Sequence, residues 1–147
     1  MENNTFKLKQ FIIITLITSV WIHITEIFRA VVIVFPRMKA FFENKVAIGD
    51  IELSNALIWG FWDTLLTACL VFIFWLCVKT FENHFKSVLI SATVTCAATL
   101  GIFWIATVNT GLGEWSTAFI VLPIAWIEMI IGAWIASKLY ATGRWVG

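Results

Sequence analysis

The sequence predicts an all-α, integral-membrane bundle of four transmembrane helices threaded up-down-up-down, and three observations predict it. The 147 residues are 61% hydrophobic and 13% charged, with a mean hydropathy of +0.92, far from the composition of ordinary soluble domains. Four apolar runs, 11–35, 53–78, 88–108 and 116–137, each reach the roughly 20 residues needed to cross a hydrocarbon core. The few ionisable residues inside those runs recur at helical spacing rather than at random. Residues 1–147 are therefore expected to form one polytopic membrane domain, with no room for a separate soluble one.

The first run follows Lys7 and Lys9 as a secretory signal would. It is too long for one, contains His23, Glu26 and Arg29, and lacks a small-residue cleavage site, so it is expected to stay as a helix. Pro36 is expected to end it. That leaves 37–52 as the longest link, in which Met38, Phe41 and Phe42 beside charges predict a stretch lying along the membrane interface. Gly49 and Asp50 precede the second run, a short polar link containing Glu82, Asn83, His84 and Lys86 follows it, and Gly111-Leu112-Gly113 reads as the turn between the third and fourth. Pro123 is expected to kink the fourth helix.

Flanking charge sets the expected orientation. Lys7, Lys9, Lys79, Lys86, Lys138 and Arg144 lie at one end, against Arg37, Lys39 and Lys45 at the other, which predicts a multi-pass protein with both termini cytoplasmic. Trp75 and Trp134 near one end, with Trp59 and Trp115 near the other, fit aromatic belts; Trp21 and Trp126 fall mid-helix. Cys69, Cys77 and Cys96 lie within apolar runs without paired spacing and read as small buried hydrophobes. A net charge of +1 gives no indication of nucleic acid. No nucleophile sits beside a base, and no glycine-rich phosphate loop is present.

Polar residues fall into stripes: Thr15, Ser19, His23, Glu26 and Arg29 on the first helix; Asn55, Asp63 and Thr67 on the second; Ser91, Thr95 and Thr99 on the third; Thr117, Glu128 and Gly132 on the fourth. Lipid satisfies none of them, so these faces are expected to turn toward one another. Within them the charges do not cancel. Glu26, Asp63 and Glu128 face Arg29 alone, with His23 between, in a medium where even one uncompensated charge is costly.

A proton, a metal ion or a cationic substrate is therefore expected there. Arg29 is a candidate to hold a substrate carboxylate or to bias a neighbouring acid. Glu128, between Ile127 and Met129, suits proton-coupled binding because desolvation penalises its charged form, and Trp21 and Trp126 at similar depth offer π faces to a cation. The leading expectation is a proton-coupled or cation-binding carrier, working as a homo-oligomer in the lipid bilayer on a cationic or polar small molecule. The alternatives are a membrane-embedded enzyme and a lipid- or partner-binding subunit. The enzyme reading includes a single divalent metal ion on His23, Glu26, Asp63 and Glu128, a mixed nitrogen and oxygen donor set.

Overall fold

The computed structural model describes residues 6–43 and 52–142, so Lys45, Gly49, Asp50 and Arg144 lie outside the described residues. The architecture is all-α. Four helices, α1 (Leu8–Phe42), α2 (Leu53–Phe81), α3 (Phe85–Asn109) and α4 (Trp115–Ala141), are each long and apolar enough to cross a membrane. They form a ring in chain order, with α1 closing on α4 and with α2 and α4 touching across the centre.

Neighbouring helices run antiparallel. Phe6, just before α1, packs its ring 4.9 Å from Trp75 and 6.3 Å from Phe72 near the end of α2. Asn83, just before α3, exchanges hydrogen bonds with Ser137 near the end of α4. The first turn of α1, the α2–α3 turn and the end of α4 thus share one end, here the terminal end; the opposite one is the loop end. There, Gly111 takes a φ of 75° and the Leu112 N–H reaches back to the Thr107 carbonyl at 2.9 Å. That bond satisfies a carbonyl left over at the end of α3, as a Schellman turn does.

Pro36 does not end α1, contrary to the sequence expectation. The helix widens over Ala30–Val34, where the Phe35 N–H bonds to the Ala30 carbonyl five residues back. It then resumes over Phe35–Phe42 with Pro36 in the new first turn, a position where a missing N–H costs little. The expected interfacial stretch at Met38, Phe41 and Phe42 is thus a continuation of α1. A second π-helical segment, Ala97–Gly101, interrupts α3. α4 continues through Pro123.

Polarity is arranged inside out. On α1, Leu8, Ile12, Leu16, Val20, Ile24 and Ile27 are exposed at near four-residue spacing, while Thr15, Thr18, Ser19 and Arg29 are buried. Elsewhere the interior also holds Asp63, Thr67, Ser87, Ser91, Thr95, Thr117 and Glu128. An apolar exterior over a partly polar core suits a lipid environment, in which helix association relies on close packing and on interhelical hydrogen bonds rather than on excluding water.

Close packing is tightest at Gly132. A Cβ there would lie 3.0 Å from Ile22 Cδ1 and 3.2 Å from Leu70 Cδ2, so the missing side chain is what lets α1 and α2 both press against α4. Ala125, Ala133 and Ala136 continue this small buried face.

Candidate functional site

Arg29 is the centre of the site. Its side chain is 4% exposed. Nη2 donates to the Glu26 carboxylate one turn back on α1, and Nε donates to Glu128 Oε2 on α4 at 3.1 Å. One guanidinium thus joins two acids from different helices, in a fork geometry that lysine does not reproduce.

Asp63 comes from α2 and is 6% exposed. It lies within electrostatic range of Glu26, His23 and Arg29, yet no hydrogen bond reaches its carboxylate among the described residues. Glu128 feels Arg29, Glu26 and Asp63. α3 contributes Cys96, a buried thiol within range of Arg29, Glu26 and Glu128. All four helices therefore meet at this cluster.

His23 is half-buried beside it. Its Nδ1 lies 2.8 Å from the Ser19 carbonyl, and a carbonyl only accepts, so Nδ1 carries the hydrogen. In the neutral ring that leaves a lone pair on Nε2, which faces α2 at Gly60, 3.9 Å from where a Cβ would stand. Since glycine has no side chain, nothing from Gly60 covers that nitrogen.

The two mid-helix tryptophans act differently. Trp21 donates its indole N–H to the Glu128 backbone carbonyl at 3.2 Å, tying α1 to α4 at the cluster. Trp126 donates to Thr93 Oγ1 at 2.9 Å on the outer surface, where it is 39% exposed. It is not brought to the cluster. Asn55, placed by spacing on the stripe of Asp63, is exposed on α2, as are its neighbours over 53–59.

Among the described residues no three His, Cys, Asp or Glu side chains converge closely enough to hold a metal ion. The physical reason is visible at Arg29, whose guanidinium fills the space between Glu26 and Glu128 that a divalent ion would need. Formally the cluster carries three carboxylates against one guanidinium, a balance of −2 with His23 neutral. The sequence reading missed Cys96, and it placed Trp21 at this depth as a π face rather than as a donor to the Glu128 carbonyl. Both contacts reach a partner on another helix, so local spacing carries no sign of them.

Comparison with protein-family models, with curated proteins and with solved structures finds no match.

Proposed function

We propose that the chain is a small multi-pass membrane carrier, threaded up-down-up-down, that exchanges protons for a cationic or polar small molecule at this cluster. One observation carries the reading: three carboxylates from three helices share one guanidinium inside an apolar exterior. Such a site is electrically incomplete, and uptake of a proton or of a guest cation completes it. Asp63 is the acid that Arg29 leaves without a hydrogen bond, so it is the primary exchanging group. Glu128 is the second, released whenever Arg29 turns wholly to Glu26.

The reading places the terminal end in the cytoplasm, because Lys7, Lys9, Lys79, Lys86 and Lys138 gather there. Three basic side chains at that end also sit over aromatic rings: Lys79 over Trp75 at 4.9 Å, Lys86 over Phe81 at 4.3 Å and Lys138 over Trp134 at 5.4 Å, an arrangement suited to a headgroup layer. Four helices packed this closely enclose little free volume, so the carrier is a homo-oligomer.

The test is uptake of tetraphenylphosphonium into liposomes holding the full chain under an imposed pH gradient. The wild type accumulates the probe. Asp63→Asn and Glu128→Gln each lower accumulation, and the double variant falls to the level of protein-free liposomes while eluting as folded protein. Undiminished uptake by the double variant would overturn the reading.

A further inference from the structure

We propose that the cavity at the terminal end, between the start of α1 and the ends of α2 and α4, binds an anionic phospholipid. The phosphate sits on Lys7, Gln10 and Tyr140, and the first carbons of the lipid lie against the aromatic wall beside them. The site shares no residue with the carboxylate cluster and stands whether or not the chain is a carrier.

The space is small and three helices build it. Its volume is about 20 Å³, room for about one water-sized group. Ile14 and Val71, each 3% exposed, and Phe74, 1% exposed, form its floor. Phe6 and Trp75 form a wall, with ring centroids 4.9 Å apart and planes at 79°. From α4 comes Tyr140, whose ring meets Phe74 edge-on at 6.1 Å.

Lys7, Gln10 and Tyr140 supply the polar part of the lining. None of these three side chains has a hydrogen-bond partner among the described residues. An ammonium, an amide NH₂ and a phenol O–H can all donate, and an oxyanion is the partner that accepts from all three; lysine is a regular phosphate binder. No acid lines the cavity. Lys9, Lys79 and Lys138 add positive charge at the same end, with Lys79 Nζ 4.9 Å from the centre of the Trp75 ring. Glu82, the one acid at that end among the described residues, faces His84 at 3.2 Å.

Size and depth select a lipid over a soluble anion. Space for one water-sized group admits a methylene but not a whole phosphate, so the anion stays at the mouth, where Phe6 and Lys7 are exposed. A soluble anion held there would make no use of the aromatic wall. A phospholipid carries its phosphate and its first methylenes together, at the level where Trp and Tyr gather in a membrane interface. Basic pockets between helices take anionic headgroups on the same terms.

The test is native mass spectrometry of the full chain in a neutral detergent, in which no charged surface attracts lipid generally. The wild type retains one dioleoylphosphatidylglycerol with an apparent Kd about tenfold below that for dioleoylphosphatidylcholine, and Lys7→Gln and Tyr140→Phe each weaken the phosphatidylglycerol about fivefold. Lys9→Gln, the same change of charge outside the cavity, leaves it unaltered. Because a ligand bound only to the folded chain raises stability, phosphatidylglycerol also raises the thermal midpoint of the wild type more than that of Lys7→Gln. Equal retention of the two lipids, or equal weakening by Lys7→Gln and Lys9→Gln, overturns the site. Displacement of the lipid by an equal concentration of inorganic phosphate overturns its assignment to a lipid.

Discussion

Because Arg29 divides its donors between Glu26 and Glu128, its removal leaves two acids close together with no cation. Arg29→Gln is therefore expected to lower stability by about 3–5 kcal/mol, the usual cost of breaking a buried ion pair from one side. Arg29→Gln/Glu128→Gln, which removes one stranded charge, recovers most of that loss. Denaturant titration in mild detergent reads both, and a double variant as unstable as the single one would show that the charge balance is not what Arg29 supplies. The His23 geometry adds a spectroscopic expectation: the neutral ring shows the Nδ1–H tautomer in 15N spectra, because the Ser19 carbonyl can only accept. At this scale the sequence named the acids set against Arg29 but not which of them its guanidinium bonds. His23, Glu26 and Arg29 follow from three-residue spacing alone. The link from Arg29 to Glu128 spans 99 positions, and nothing local to either residue marks it.

Helix packing turns on Gly132 and on the two widened turns. With Ile22 and Leu70 already within 3.0 and 3.2 Å of the missing Cβ, Gly132→Leu overfills the α1–α2–α4 contact and costs about 1–3 kcal/mol. Ile22→Ala in the same chain gives part of that back; a Gly132→Leu variant as stable as the wild type would mean the helices do not approach this closely. The π segments begin directly after Arg29 and Cys96, both members of the cluster, in keeping with the frequent placement of such turns at functional sites. The existence of four helices was legible, because length and apolar composition decide it. The course of α1 past Pro36 was not. A proline reads as a stop, and only the preceding five-residue bond to Ala30 makes its missing donor harmless.

At the scale of the whole molecule, the distribution of exposed Leu, Ile, Val and Phe over a core that holds, among the described residues, eleven buried polar or charged ones is the inverse of a water-soluble protein. The threading through a bilayer is testable with single cysteines in a chain whose native cysteines are alanine. A membrane-impermeant thiol reagent labels His84→Cys from one side of sealed vesicles and Leu112→Cys from the other, since the two turns lie at opposite ends of the bundle. Labelling of both from the same side would rule out the threading.

If the proposed function holds, the guanidinium at the centre of the bundle makes an incoming cation a rival rather than a newcomer. Any cation seeking Glu128 must first displace a tethered one that never diffuses away, so the net gain on docking is only the difference between two similar attractions. On the carrier reading proposed above, hold on a guest is correspondingly modest and its departure quick, as turnover in a shuttle requires.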